Sequence, residues 1–134
     1  GPLKGLLEDT IGIDNRGFVQ PEELPGLMEE VSALVLPSRS EPWGVVVQEA
    51  AAAGLPLLCS EAVGAAVHLL CDGYNGFLVE TGSPHSLAQS MVSIAERSPE
   101  EREEMGQRSH ELSKQYTPER WAKTFTNGIQ QLVL

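Results

Sequence analysis

Three short apolar runs set the tightest limit on this chain: Ala33-Leu34-Val35-Leu36, Pro56-Leu57-Leu58-Cys59 and Phe77-Leu78-Val79. The first is wholly apolar and ended by Pro37, which suits a strand buried on both faces of a parallel sheet. A fourth short strand, Arg16-Gly17-Phe18-Val19, is read ahead of it, leaving a turn. Helical stretches separate these runs. The order strand–helix–strand–helix–strand–helix–strand, then helices, predicts an α/β fold with a parallel sheet and right-handed crossovers.

The intervening segments carry their own signals. Leu24, Leu27, Met28 and Val31 recur at helical spacing within residues 20–32. Pro25 is tolerated only in a first turn, so that helix is expected to start between Pro21 and Leu24. A helix is predicted over Val45 to Ala53, with Gly54 as its left-handed C′ residue. Ala65 to Cys71 reads as a short helix, and Asp72-Gly73-Tyr74-Asn75-Gly76 as a turn. Ser83-Pro84, Ser98-Pro99 and Thr117-Pro118 each supply an N-cap and first residue. The helices they open carry Leu87, Met91, Ile94 and Ala95, then Glu100 to Gln115, then Trp121, Phe125, Ile129 and Leu132.

Composition narrows the function classes. With 134 residues and 41% hydrophobic content, the chain suffices for one compact domain, taken as residues 1–134. Nine Lys and Arg against nineteen Asp and Glu give a net charge of −10, which argues against nucleic acid and anionic membrane surfaces as partners. Aromatic residues at 5% argue against a base-stacking platform. Two cysteines, Cys59 and Cys71, make no disulfide framework and are expected to pack as small apolar groups in a reducing compartment. No run is long enough to span a membrane and no signal peptide is visible, so a cytoplasmic location is expected. The start at Gly1-Pro2-Leu3 points to a processed, tagged or truncated chain.

The segment Pro37-Ser-Arg-Ser-Glu41-Pro-Trp43-Gly44-Val-Val-Val-Gln-Glu49-Ala-Ala-Ala-Ala-Gly54 is the most informative. It places a helix N-terminus at the carboxyl end of a parallel sheet, where α/β folds bind ligands. Amides near Gly44, Val45 and Val46, with the helix dipole behind them, form an anion site that a residue without a Cβ lets a phosphate approach. Glu41 precedes the helix and Glu49 lies roughly 7 Å further along it. Carboxylates on both sides of an anion site do not favour the anion. They suit hydroxyl donors on either side of it, the layout of a sugar nucleotide. Trp43 suits packing at least as well as ligand contact. His68, His85 and His110 are scattered, and no His, Asp and Cys group has ligand spacing.

Glu41-Pro42-Trp43-Gly44 through Glu49-Ala50, then Gly54 and Pro56, resembles the E-x7-E signature of retaining GT-B glycosyltransferases, above all glycosyltransferase family 4. Gly17-Phe18-Val19 and Leu36-Pro37-Ser38 look like that family's lead-in. Gly64 and Asp72-Gly73-Tyr74-Asn75-Gly76-Phe77-Leu78-Val79 look like its later turn and strand, and Gly1-Pro2-Leu3 like the end of an earlier one. The resemblance covers about residues 1–96. It implies a Rossmann-like sheet, part of the C-terminal half of a GT-B fold, in a hexosyltransferase that needs no metal or other cofactor.

By this resemblance, Glu49 accepts hydrogen bonds from the ribose, while Glu41, Trp43 and Gly44 lie against the donor sugar. Amides from Trp43 to Val46, chiefly Gly44, Val45 and Val46, hold the diphosphate, and Phe18 and Val19 line the nucleobase. No catalytic nucleophile is assigned. The donor would be a UDP-, GDP- or ADP-sugar and the acceptor a glycan or glycolipid, as in polysaccharide biosynthesis. One departure stands out: Gly64-Ala65-Ala66-Val67-His68 occupies the place of the family's Gly-Gly followed by Glu. The family's basic clamp and its acceptor domain lie upstream of this chain. Residues 1–79 hold only Lys4, Arg16 and Arg39 as cations, which fits half a site. The missing N-terminal domain of the same enzyme is thus an expected partner, self-association over the uncovered surface is expected, and the fragment alone should be inactive. Two alternatives remain open at this point, a non-catalytic sugar-nucleotide-binding or assembly domain and a glycogen-synthase-like GT-B enzyme. A flavodoxin-like receiver is disfavoured, because no aspartate follows a clear apolar strand and lysine is scarce.

Overall fold

The computed structural model describes residues 12–115. A 3₁₀ turn at Pro21–Glu23 leads into α1 (Leu24–Glu29), followed by β1 (Leu34–Leu36), α2 (Val45–Ala52), β2 (Leu57–Ser60), α3 (Ala66–Leu69), β3 (Gly76–Val79), α4 (Pro84–Ala95) and α5 (Pro99–Ser113). The three strands pair in parallel in the order β1-β2-β3, with Leu36 opposite Cys59 and Cys59 opposite Leu78. Alternation along β2 serves two cores. Leu57 and Cys59 pack with Val47, Ala50 and Ala51 of α2 and Ala66 and Leu69 of α3. Leu58 faces the other way, onto Ile94 of α4, Met105 of α5 and the half-buried Phe77. Helices therefore cover both faces of β2, which explains why all four of its residues are buried.

Local signals act as the sequence predicts. Ser83 Oγ accepts from Ser86 N at 3.1 Å and Ser98 Oγ from Glu101 N at 3.2 Å, each with proline in the first turn. Gly54 ends α2 in the left-handed region at φ 81°. Packing then fixes α2 at its far end. A Cβ on Gly106 of α5 would lie 2.0 Å from the Gly54 carbonyl oxygen, so the two backbones touch, and His110 Nδ1 donates to the Ala52 carbonyl at 2.8 Å.

The amino end of the sheet is tied by Asn75, which is fully buried. Its Oδ1 accepts from Cys71 N at 2.8 Å, and its Nδ2 donates to the Leu69 carbonyl at 2.8 Å and to Ser109 Oγ at 3.0 Å. Arg108 of α5 adds a bond to the Tyr74 carbonyl at 3.0 Å and stands over the Tyr74 ring, 4.6 Å from its centroid.

Several expectations are corrected. Residues 16–19 are not a strand. Asn15 Oδ1 takes the Gly17 amide at 2.9 Å and Gly17 adopts φ 63°, so side chain and glycine bend the segment into a turn. The helix over residues 20–32 stops at Glu29, and Val31, beyond it, is exposed. The segment read as a helix over Ala65 to Cys71 is helical only from Ala66 to Leu69. β1 is not buried on both faces, since Val35 is exposed. Val35 lines an apolar groove of about 280 Å³ with Leu58, Met91, Ile94 and Ala95, so Met91 and Ala95 are uncovered too. The expected last helix with Trp121, Phe125, Ile129 and Leu132, and the start at Gly1-Pro2-Leu3, lie outside the described residues. Among the described residues, no helix is long and apolar enough to cross a membrane.

The two cysteines also part company. Cys59 is fully buried, and burial pushes its thiol up to about 12. Cys71 is exposed, contrary to the packing expected for it. At pH 8, on the order of 10⁻⁴ of a thiol with Cys59's acidity is ionised. Native alkylation with iodoacetamide should therefore modify Cys71 alone, with Cys59 following only in denaturant. Peptide mass spectrometry checks this, and equal native labelling of both would contradict the burial of β2.

Candidate functional site

Because β1 and β2 run in parallel, both point their carboxyl ends to one edge of the sheet, and the chain returns there to begin α2. Gly44 is the N-cap, buried and in the left-handed region at φ 90° and ψ 73°. A Cβ on it would meet Val63 Cγ1 at 3.2 Å and Glu41 Cγ at 3.4 Å, so both the torsion and the space call for glycine. The cap contributes no side-chain bond to the start of α2, where the Val47 amide turns back to the Gly44 carbonyl at 3.0 Å. The amides of Val45 and Val46 head the positive end of the helix dipole.

The neighbouring side chains are placed by three elements. Trp43, just before the cap, donates from Nε1 to Gln48 Oε1 at 3.3 Å, spanning the first turn of α2 in the manner of an N′–N4 staple. Its ring lies 5.7 Å from the His68 ring of α3, tilted by 39°. Glu41 is half-buried and forms a parallel bridge with Val63. Along α2, Val47, Ala50 and Ala51 face the core, while Val45, Glu49 and Ala52 are exposed at i, i+4 and i+7. Glu49 thus stands on the open stripe that begins at Val45.

The structure accordingly brings Glu41, Trp43, Gly44, Val45, Val46 and Glu49 around one helix start. Phe18 and Val19 lie elsewhere, on a depression of about 350 Å³ shared with Arg16, Glu23, Gly26, Leu27 and Glu30. Phe18 is 83% exposed. Chemically, the helix start offers N–H donors and partial positive charge to an anion, and the flanking carboxylates offer acceptors to hydroxyl groups. Sequence reasoning passed over the loop from Ser60 to Ala65 and the His68 ring. Gly64 was visible only within a motif match and its departure at residues 64–68, and His68 as one of three scattered histidines. Their nearness to Pro42 and Trp43 comes from the pairing of β1 with β2.

The family model for glycosyl transferases group 1 matches residues 11–112. An uncharacterized glycosyltransferase of Methanocaldococcus jannaschii is 33% identical over 102 residues, covering 76% of this chain and 28% of that protein. The D-inositol 3-phosphate glycosyltransferase of Kribbella flavida is 34% identical over 122 residues, covering 88% of this chain and 28% of the relative. The structure of sucrose-phosphate synthase from Thermosynechococcus elongatus matches 98% of this chain and 33% of its own, with TM-score 0.81 and 26% identity. A pneumococcal O-GlcNAc transferase solved with UDP and GlcNAc matches with TM-score 0.70 and 20% identity, covering 98% of this chain and 28% of that one, a likeness of fold alone. The chain therefore spans about a third or less of the length of these proteins. Its parallel sheet flanked by helices is the Rossmann-like part of a GT-B fold, and the chain belongs to the glycosyl transferases group 1 family.

Proposed function

We propose that this chain is the donor-binding part of a retaining family 4 hexosyltransferase, taking a nucleoside diphosphate sugar and serving transfer to a glycan or glycolipid acceptor. The observation that carries the reading is the start of α2, a glycine-capped helix end at the carboxyl edge of the sheet with Glu41 and Glu49 on either side. The diphosphate rests on the amides of Gly44, Val45 and Val46. Glu49 accepts from the ribose, and Glu41 from the hexose beside Trp43. Phe18 and Val19, which line a depression apart from this group, are the expected border of the base. Catalysis in such a site is positioning together with stabilisation of the departing diphosphate by oriented N–H groups. The reading needs no metal, because helix amides and a basic pair from the rest of the enzyme carry the charge. That remainder of the enzyme is the expected partner domain, and the cytoplasm the expected compartment.

Saturation-transfer NMR with UDP, GDP and ADP tests this on the chain itself, at the millimolar affinity of a partial site. Ribose signals are expected for one nucleotide. A Glu49→Ala variant should weaken binding by about tenfold to a hundredfold, since a hydrogen bond to a charged group contributes about 1.5–3 kcal/mol. EDTA should leave them unchanged. Signals that survive the substitution at full strength would remove Glu49 from the site, and loss of signal in EDTA would overturn the metal-independent reading.

A further inference from the structure

We infer that Gly64 is a positioning residue for the donor site, setting Glu41 and Trp43 against the start of α2. The inference rests on the function proposed above. Past the end of the sheet, β1 and β2 resume contact. Between Leu36 and Glu41 the first chain advances five residues, while between Cys59 and Val63 the second advances four, and the two meet again as a parallel bridge. The extra residue is taken up within the Pro37 to Ser40 segment, and the pairing resumes one residue out of step with the ladder before it.

Three backbone hydrogen bonds close this second contact. Glu41 N donates to the Ala62 carbonyl at 3.2 Å, Gly64 N to the Glu41 carbonyl at 2.8 Å, and Ala65 N to the Trp43 carbonyl at 2.6 Å. Below them, Ser60 Oγ donates to the Ser38 carbonyl. The loop after β2 therefore acts as a template for the loop that carries Glu41 and Trp43. Gly64 lies where the two are closest. A Cβ on it would be 1.9 Å from the Pro42 carbonyl oxygen, 2.8 Å from the Pro42 carbonyl carbon and 3.3 Å from Trp43 Cα.

The need for glycine here is spatial. Gly64 does not have a positive φ, so left-handed backbone is not what calls for glycine here. Pro42 lies between the two side chains in question, and its carbonyl would have to retreat by roughly 1 Å or more to clear a methyl group. The space at the Gly44 Cα is bounded by the Val63, Glu41 and Val47 side chains, and Glu49 lies further along α2, beyond that contact. Displacing Pro42 thus shifts Glu41 and Trp43 relative to the helix start while leaving Glu49 in place on α2. The predicted consequence is selective. Contacts to the hexose suffer, and those to the ribose do not. Misplacement on this scale costs from about tenfold to a hundredfold in a site that works by positioning.

The test compares Gly64→Ala with Gly106→Ala, a control that also forces a methyl group onto backbone, but at the far end of α2. Two quantities are read. The first is the amide spectrum of Glu41, Trp43 and Gly44 without ligand. The second is the ratio of affinities for a nucleoside diphosphate and its sugar ester, in the pairs UDP and UDP-glucose, GDP and GDP-mannose, ADP and ADP-glucose. In Gly64→Ala the Glu41 and Trp43 signals should move, and the advantage of the sugar ester should fall about tenfold with nucleotide affinity held. In Gly106→Ala both should stay as in the parent. Unmoved Glu41 and Trp43 signals, or an equal change in both variants, would overturn the inference. If the parent binds none of the pairs, the proposed function fails, and the ligand-free signals alone decide on Gly64. Should Gly64→Ala not fold, hydrogen exchange of the parent decides. Slow exchange at the Glu41, Gly64 and Ala65 amides supports the template, and exchange as fast as at Arg39 overturns it.

Discussion

Substituting alanine for Gly76 is expected to lower the thermal midpoint by at least about 10 °C or leave the chain unfolded, an effect of about 3 kcal/mol or more. Gly76 opens β3 directly opposite Leu57. A Cβ there would come within 1.7 Å of the Leu57 carbonyl oxygen, 2.6 Å of its carbonyl carbon and 2.8 Å of its nitrogen. All three are main-chain atoms of the central strand, so no side-chain rotation relieves the overlap. Relief requires β2 and β3 to separate at the point where the Leu57 amide donates to the Asn75 carbonyl at 3.0 Å. β2 also carries the core on both faces, so moving it disturbs α2 and α4 together. Thermal unfolding followed by circular dichroism checks the prediction. A midpoint within about 3 °C of the parent would show that the strands yield far more readily than close packing allows.

Asn75→Ala should lower stability by about 2–4 kcal/mol through a different cause, the stranding of buried polar groups. The side chain makes three bonds that no neighbour replaces in kind, to Cys71 N, Leu69 O and Ser109 Oγ. Removing it leaves the carbonyl at the end of α3 and the amide of Cys71 without their partner, each worth about 1–3 kcal/mol when buried. Ser109 retains a longer bond of 3.5 Å to the Asn75 carbonyl, so Ser109→Ala alone should cost less. Urea unfolding of the two single variants and the double variant gives their coupling, expected to exceed about 0.5 kcal/mol. Additive losses would mean that the two side chains act independently. Since Asn75 sits at the amino edge of the sheet and the proposed donor site at the carboxyl edge, any nucleotide affinity measured below the midpoint should be unaffected.

These two residues also mark how far the sequence could be read. Asp72-Gly73-Tyr74-Asn75-Gly76 was legible as a turn from its residue types alone. That Asn75 ties it to α5, and that Gly76 leaves room for the Leu57 carbonyl, was not legible, because the partners lie 34 and 19 residues away in the chain. The same holds at the candidate site. The helix start, its glycine and the spacing of Glu41 and Glu49 were visible in one continuous stretch. The Ser60 to Ala65 template beneath them belongs to another connection. The strand expected at residues 16–19 failed for the converse reason. Its apolar pair was read as strand, but a strand exists only with a neighbour to bond, and here the Asn15 side chain claims the Gly17 amide first.

By itself the sequence determined the order of elements from β1 onward, the caps at Ser83 and Ser98, the glycine end of α2 and the position of the helix start among its carboxylates. Each depends on residues within a turn or two of one another, where torsions and short hydrogen bonds decide. Only the tertiary structure decided which apolar residues are covered, that Cys59 is shielded and Cys71 open, and that Gly64 abuts Pro42. Those outcomes depend on which strands lie side by side and which helices close over them, and parallel pairing always joins segments that a whole crossover keeps apart in the chain.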